Sequence, residues 1–293
     1  MNKNQALDLR VNNPDLLVVS GSRLYGTQRA DSDLDYRGFA IPPYEYLLGI
    51  AKFEDKDVEG ADHKVYALRR YLELVLSGDP QCTELLFVPA DKIVAKTKYG
   101  DRIFALREAI VSNKIYRRVM GYGYSEWRKA RGVRLVIEDR TKTEDDVILD
   151  IRNVFEPDKD TMDGVLELLL QTKKQTIVPH LKNLGAKRKA EFEKYGFGVT
   201  SAAHAIRLTQ QLAELMTTGT MTFPRPNADF LRDIRLGKYK ADDLEEVYEE
   251  SRQEADRARD NSILRDKPDS NAVWGEYEDM VRLFLQEDAR FNS

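Results

Sequence analysis

One short segment restricts the fold of this chain more than any other. The run Asp15-Leu-Leu-Val-Val-Ser-Gly-Ser22 is apolar and ends in a Gly-Ser pair. A run of this length closed by turn-forming residues predicts a buried strand whose end enters a tight turn. A second strand is predicted over residues 36–41, because Pro42-Pro43 bounds it. The fold therefore contains a sheet whose first strand leads into a glycine turn.

Beyond these strands, the spacing of apolar residues becomes helical. From Ala67 they recur every three or four positions, which predicts a helix that Gly78-Asp79-Pro80 ends. Residues 81–89 form a further buried element of undecided type. After Pro89 helical spacing predominates, and we predict helices over 99–112, 115–131, 163–172, 177–195, 200–217, 229–237, 242–260 and 272–288. The pattern indicates a mixed α/β part over residues 1–95 and a mainly helical part over 96–293, with a charged insertion around 137–162.

Composition excludes several classes of protein. With 42% hydrophobic and 33% charged residues, the 293-residue chain can bury a core and is not a disordered polymer. A net charge of −4 excludes a basic coat over the whole surface, so any contact with a polyanion needs a local basic patch. The single cysteine, Cys82, excludes a disulfide framework and is expected to be a small core residue. Because no apolar run approaches the ~18 residues of a membrane span and the N-terminus is polar, we expect a cytoplasmic protein without membrane contact.

Residues 21–38 carry the strongest indication of chemistry, and two common motifs do not explain them. A P-loop is excluded because Thr27-Gln28 stands where Lys followed by Ser or Thr is required. An EF-hand loop is excluded because Tyr36 occupies the glycine position and Pro42 the position of the bidentate glutamate. A strand that ends in a glycine turn, followed by a strand with two acidic residues, fits better.

Asp33 and Asp35 are two positions apart, and residues at this spacing share a face of a strand. Two neighbouring carboxylates repel each other, and divalent cations relieve that repulsion. Oxygen ligands suit Mg²⁺, which keeps some of its waters and accepts phosphate oxygens as further ligands. The pair therefore predicts a metal site that also handles phosphate.

The Gly-Ser turn supplies groups that suit a triphosphate. Gly21 permits close approach of the backbone, while the amide and hydroxyl of Ser22 can bond the terminal phosphates. Arg23 and Arg29 add positive charge. We predict all four residues to contact a nucleoside triphosphate.

A Gly-Ser pair, ten further residues and Asp-x-Asp after a buried strand resemble the active-site motif of the DNA polymerase β-type nucleotidyltransferase superfamily. The longer string Gly-Ser-Arg-x-Tyr-Gly followed by Ser-Asp-x-Asp-Tyr-Arg-Gly is similar to the RNA-repair-pathway nucleotidyltransferase family within it. Later blocks in the same order extend the resemblance over most of the chain: Leu68-Arg-Arg-Tyr-Leu72, Gly78-Asp-Pro80, Glu84-Leu-Leu-Phe87, His204-Ala-Ile-Arg-Leu208 and Glu214-Leu-Met-Thr-Thr-Gly219. The resemblance implies an α/β (α+β) nucleotidyltransferase core with a mixed sheet in residues 1–95, followed by a mainly α-helical domain on the substrate side.

The resemblance also implies a reaction and a third carboxylate. Such enzymes transfer a nucleoside monophosphate from an NTP with release of pyrophosphate, using Mg²⁺ or Mn²⁺. Asp33 and Asp35 would bridge two ions, and a carboxylate on a neighbouring strand would complete the catalytic and metal-binding set. Asp57, Glu59 and Asp62 are the candidates, and we choose Asp62 because it precedes Val65-Tyr-Ala-Leu68, where the family's acidic residue lies.

Two further residues and two basic segments complete the predictions. For His204 beside Arg207 on an apolar helix, a buried structural histidine is the default, while the resemblance raises the two as a pair that contacts the nucleotide. Segment 114–134 holds seven basic residues against one acid, interleaved with aromatic residues, and 171–194 is also rich in lysine. Both segments suit RNA, for example a tRNA. Segment 114–134 equally suits a solvated helix with its aromatic residues packed inward, and for 171–194 an ordinary charged surface is the more common explanation.

Three functions remain open at this point. The family resemblance favours an RNA end as the acceptor of the nucleotide. The same catalytic core also serves enzymes that nucleotidylate a protein or a small molecule. A non-catalytic module that binds nucleotide or nucleic acid is the third alternative, and the acidic pair argues against it, because binding alone has no need of two carboxylates that repel each other.

Overall fold

A computed structural model describes residues 10–30, 32–50, 56–57, 63–137, 175–179 and 186–287. The strands in these ranges are β1 Leu16–Val19, β2 Tyr36–Ala40, β3 Lys56–Asp57, β4 His63–Ala67, β5 Ile93–Lys96, β6 Val133–Ile137 and β7 Gln175–Pro179. The helices are α1 Gly21–Tyr25, α2 Tyr44–Leu47, α3 Leu68–Leu76, α4 Pro80–Glu84, α5 Lys98–Ala105, α6 Arg107–Ile110, α7 Ile115–Ala130, α8 Ala186–Tyr195, α9 Val199–Thr218, α10 Ala228–Arg235, α11 Ala241–Asp260 and α12 Ser270–Glu287.

The first five strands form one sheet in the order β3-β4-β2-β1-β5. Strand β2 is antiparallel to β1 and parallel to β4, so the sheet is mixed as predicted. Its register sets Val18 opposite Arg37, and Arg37 opposite Lys64. The two strands predicted from the sequence are therefore confirmed as neighbours at the centre of the sheet.

The two faces of this sheet pack against different partners because successive side chains in a strand alternate. Leu16, Val18 and Phe39 are fully buried and belong to the main core, where Phe39 stacks on Tyr71 of α3 with ring centroids 4.8 Å apart. Helix α3 is the helix predicted after Ala67, and it buries the residues at three- and four-residue spacing. The opposite face forms a smaller cluster that contains Val65.

The undecided segment 81–89 is helical. It contains α4, a 3₁₀ turn over Leu85–Phe87 and an extended Val88. Asp79 caps α4 by accepting a hydrogen bond from the Cys82 amide at 2.9 Å, and Pro80 occupies the first turn, where its missing N–H costs nothing. Cys82 is fully buried, as predicted for a core residue, and burial raises the pKa of its thiol.

The chain divides into two compact units, residues 1–123 with 203–293 and residues 124–202. The first unit contains the five-stranded sheet together with α9 from residue 203 onward, α10, α11 and α12. A division into a catalytic domain (1–95) and a helical domain (96–293) remains a prediction about which parts fold independently.

The second unit contains an antiparallel pair of strands that the sequence analysis did not predict. Residues 175–179 form β7, antiparallel to β6, so the helix predicted over 177–195 is wrong at its start, and α8 begins at Ala186. Both segments are rich in β-branched residues, which favour strands, and Pro179 cannot donate to a helical hydrogen bond. The helix predicted over 163–172 lies outside the described residues, and so does the insertion around 137–162 apart from its first residue.

In the part of the chain that the structure describes, none of the helices combines the length and the apolar character needed to cross a membrane.

Candidate active site

The turn after β1 and the residue before β2 are in direct contact. Gly21 has a φ of 61°, and a Cβ placed on it would lie 1.9 Å from Oδ2 of Asp35. The Ser20 amide donates to the Asp35 carbonyl at 2.9 Å, which continues the β1–β2 pairing past Tyr36. Only glycine suits this position, since a side chain would be strained by the backbone and would collide with the carboxylate. The Asp35 carboxylate is thereby held against the backbone of the Gly-Ser turn.

Asp33 and Asp35 lie immediately before β2 and not within it. Strand β2 begins at Tyr36, and residues 32–35 have no regular secondary structure. Asp33 is exposed and Asp35 is half-buried. A strand geometry that turns both carboxylates to one face, as the sequence analysis assumed, is therefore replaced by a short loop. Their joint role in metal binding stays a prediction.

Arg23 holds this acidic loop. Its Nη2 donates to the Ser32 carbonyl at 3.0 Å, and its Nε donates to the Asp33 carbonyl at 3.3 Å. A tight turn precedes these residues, because the Arg29 amide donates to Ser32 Oγ at 2.8 Å and the Ser32 amide to the Arg29 carbonyl at 3.1 Å. Two residues predicted to contact the nucleotide thus also shape the backbone that presents Asp33.

The Gly-Ser turn leaves polar groups of Ser22 available. The Ser22 carbonyl accepts hydrogen bonds from the amides of Gly26 and Thr27, which closes α1. Neither its hydroxyl nor its amide donates to another group within the described residues, as expected for the first turn of a helix. These two groups are the ones assigned to phosphate oxygens by the sequence analysis.

Residues far along the chain fix the other end of this turn. Arg235 of α10 donates to the carbonyl of buried Thr27 at 2.8 Å, and the Arg225 amide donates to the Tyr25 carbonyl at 3.0 Å. A Cβ on Gly26 would lie 2.8 Å from Cβ of Pro224. The segment 224–235 therefore clamps residues 25–27 from one side.

A buried polar cluster contacts the last residue of α1. Oε1 of Glu84 accepts from Nη1 of Arg207 at 2.7 Å, and Oε2 accepts from the hydroxyl of Tyr25 at 2.7 Å. The side chains of Glu84 and Arg207 are each only 5% exposed, and the Arg207 guanidinium stacks on the Tyr25 ring at 3.8 Å. Arg207 also donates to Gln211. The cluster thus joins α4 and α9 to the last residue of the helix that begins at Gly21.

These contacts give Arg207 a structural role, and its predicted contact with nucleotide remains a prediction. His204 is half-buried one turn earlier on α9. The sequence analysis did not single out Tyr25 or Glu84, although both lie inside strings that carried the family resemblance. The pairing of Glu84 with Arg207 could not be deduced from the sequence, because the two residues are 123 positions apart.

The third carboxylate cannot be placed. Asp62 and Glu59 lie outside the described residues, and the side chain of Asp57 in β3 is not described. Strand β4 begins at His63, opposite Tyr36 of β2, with the two rings edge to face at 4.4 Å. Within the described ranges, no three His, Cys, Asp or Glu side chains converge on a common metal position.

The basic segments combine buried and exposed aromatic residues. Tyr116 and Trp127 are 6% exposed, whereas Tyr122 and Tyr124 are 47% and 46% exposed. Arg128 lies over the Tyr124 ring at 4.7 Å. Half of the aromatic set thus packs inward and half faces solvent. Within segment 171–194 the described basic side chains, Arg188, Lys189 and Lys194, are exposed.

A mixed sheet whose first strand ends in a Gly-Ser turn against an Asp-x-Asp loop, with helices following, defines a DNA polymerase β-like nucleotidyltransferase core. The chain belongs to the RNA repair pathway DNA polymerase beta family, whose sequence profile matches residues 16–267. This membership confirms the resemblance seen in the sequence and indicates a nucleotidyltransferase of RNA repair.

One similar relative is an uncharacterized 38.9 kDa protein from the nrdC-mobD intergenic region of Enterobacteria phage T4. The two are 25% identical, over 78% of this chain and 84% of the phage protein. No solved structure matches this chain.

Proposed function

We propose that this protein transfers a nucleoside monophosphate from an NTP to an RNA end and releases pyrophosphate. The contact between Asp35 and Gly21 carries the proposal, because it joins a carboxylate to the backbone turn that suits a triphosphate. Membership in an RNA repair family supports RNA as the acceptor.

The residues of this site fit Mg²⁺. The missing side chain of Gly21 leaves the space that the Asp35 carboxylate fills, and Asp33 is exposed beside it, so the donors are hard oxygen ligands. When bound, Mg²⁺ or Mn²⁺ would act as a Lewis acid that lowers the pKa of the attacking hydroxyl and neutralises the negative charge of the triphosphate. Asp33, Asp35 and Asp62 would hold the ions. Asp62 is supported by its place in the chain directly before His63, which pairs with the residue after Asp35.

The chain's other residues bind and orient the substrate. The Ser22 hydroxyl and amide would donate to terminal phosphate oxygens, while Arg23 keeps the backbone of Asp33 in place. Arg29 and His204 are further proposed contacts with the nucleotide. Arg207 would act at most through Tyr25, since its charge is already balanced by Glu84.

Exposed aromatic and basic side chains support RNA binding. Tyr122 and Tyr124 offer rings on which unpaired bases can stack, and Arg188, Lys189 and Lys194 offer charge for phosphates. We propose that segments 114–134 and 171–194 each contact RNA, with tRNA as one substrate to test.

The test measures transfer of label from each α-³²P-NTP with Mg²⁺ or Mn²⁺ to a mixture of tRNA, oligoribonucleotides and protein. We expect label on RNA with the wild-type chain. Asp33→Asn and Asp35→Asn should each reduce transfer by about 10²- to 10³-fold, the range for removal of one preorganised electrostatic catalytic group. Circular dichroism checks that each variant stays folded, so that a loss of transfer reflects the removed charge.

Asp260→Asn is the matched control, since Asp260 is an exposed aspartate at the C-terminal end of α11, and it should keep full activity. Label on protein would move the proposal to protein nucleotidylation. Absence of label and of pyrophosphate with every acceptor would contradict an enzymatic function.

A further inference from the structure

Arg37 lies on β2, two residues after Asp35 of the acidic loop. Side chains alternate along a strand, so Arg37 and Phe39 share one side of β2, and Phe39 belongs to the main core together with Tyr66 of β4. Arg37 therefore lies between the acidic loop and the core, and its side chain is half-buried.

A second cation stands directly beside it. Parallel pairing sets Arg37 opposite Lys64 of β4, and the two side chains share a face. The Lys64 ammonium lies 5.3 Å from the centroid of the Tyr66 ring. Like charges opposite each other on neighbouring strands destabilise a sheet. Asp57 of β3 stands opposite Lys64 on the other side, and an anion held between Arg37 and Lys64 would attract both cations and offset their repulsion.

Within the described residues, the direct hydrogen-bond partners of Arg37 carry no charge. Its Nη1 donates to Oε1 of Gln81 and, at 3.3 Å, to the Tyr66 hydroxyl, and both partners are neutral. Glu84 is the carboxylate that acts on Arg37 electrostatically, and both of its oxygens already accept hydrogen bonds from Arg207 and Tyr25. Glu84 therefore forms an ion pair with Arg207 and acts on Arg37 only through space.

Arg37 also remains accessible. The side chain is half-buried, and within the described residues its Nε and Nη2 donate to no acceptor and are not among the buried polar atoms. A planar guanidinium with free N–H groups is suited to bidentate contact with phosphate oxygens.

We propose that Arg37, with Lys64 beside it and Gln81 supporting it, forms a phosphate-binding subsite next to the acidic loop. It would hold a phosphate either of the NTP, as part of the leaving pyrophosphate, or of the acceptor RNA. The assignment of these two sources rests on the proposed function, whereas phosphate binding itself does not.

The first test measures binding without catalysis. Inorganic pyrophosphate and a 5′-phosphorylated oligoribonucleotide are titrated against the full chain in EDTA by calorimetry. We expect Arg37→Gln to weaken binding of at least one probe about 10- to 100-fold, as for a lost charge-assisted hydrogen bond. Arg37→Lys keeps the charge without the fork and should fall between. Arg282→Gln, an exposed arginine on α12, is the control and should bind like the wild type.

Steady-state kinetics then distinguish the two sources. If the triphosphate occupies the subsite, Arg37→Gln raises KM for NTP and leaves KM for RNA unchanged; if the acceptor phosphate occupies it, the reverse holds. Circular dichroism checks folding, and Lys64→Gln is a second variant that should weaken the same probe. Wild-type affinity of both folded variants for both probes would overturn the subsite. Arg37-dependent binding without any transfer by the wild type would instead contradict only the proposed function.

Discussion

Two neighbouring polar regions of this molecule differ in how deeply their charges are buried. In the acidic corner around Gly21, Asp33 is exposed and Asp35 is half-buried against the Gly-Ser turn. In the buried cluster of Tyr25, Glu84 and Arg207, the carboxylate and the guanidinium are almost fully buried and pair with each other. We propose the corner as the place of the chemistry, while the cluster contributes stability only as long as both members of its ion pair are present. Mutations should separate the two: activity falls first in the corner, and stability falls first in the cluster.

The largest effect on stability is expected from Glu84→Ala. It leaves the buried Arg207 guanidinium without its carboxylate and Tyr25 without its acceptor. Removing one partner of a buried pair costs about 3–5 kcal/mol, measured as the free energy of unfolding in urea. The double variant Glu84→Gln/Arg207→Met, which removes both charges, should recover much of that loss. A Glu84→Ala protein as stable as the wild type would show that the pair contributes nothing.

Gly21→Ala should damage the corner itself. The new Cβ would require the Asp35 carboxylate to move away from the turn, and φ of 61° is strained for alanine by about 1–2 kcal/mol. We expect a loss of at least about 100-fold in kcat/KM, since misplacement by about 1 Å can cost that much, with a smaller loss of stability. Gly49→Ala is the matched control. Gly49 also has positive φ, but no atom lies within 4 Å of a Cβ there, so activity should persist. Equal losses of activity in both variants would contradict the importance of the Asp35 contact.

Arg23→Gln tests whether the acidic loop needs its support. It removes the hydrogen bonds to the carbonyls of Ser32 and Asp33 but leaves both carboxylates in the chain. We expect kcat to fall about 10-fold, which corresponds to roughly 1.4 kcal/mol, with little change in melting temperature. A change in KM for NTP alone would indicate that Arg23 contacts the triphosphate directly.

Tyr25→Phe is expected to reduce stability less than Glu84→Ala does. It removes one hydrogen bond to Glu84 while the ring stays stacked under Arg207. The net worth of such a bond is about 1–3 kcal/mol when its partner is charged and buried. Stability should therefore fall less than in Glu84→Ala, and a comparable loss in both would place the stabilisation in the Tyr25 contact and not in the ion pair.

Local signals in the sequence were sufficient for the elements around the site. The apolar run before Gly21, the prolines after β2 and the spacing in α3 each depend on neighbours within a few positions, and the structure confirms all three. The strands β6 and β7 were not predicted, because the sequence around them has mostly helical spacing of apolar residues. Their β-branched residues nevertheless favour strands. The secondary structure of the segment after Pro80 could not be predicted, since a short apolar run fits a strand and a helix equally well.

The family followed from the sequence alone, because a Gly-Ser turn and two spaced aspartates are short-range patterns with a specific chemical use. The metal-binding role of the aspartates stays a prediction. Which charges are paired was decided only by the tertiary structure. Glu84 meets Arg207 across 123 positions, and Arg37 meets Lys64 across a strand pair, and neither contact has a local signal. The physical reason is that the energy of a charge depends on its burial and on its partners in space. An arginine can therefore pair with a buried carboxylate in α9 and have only neutral hydrogen-bond partners among the described residues in β2.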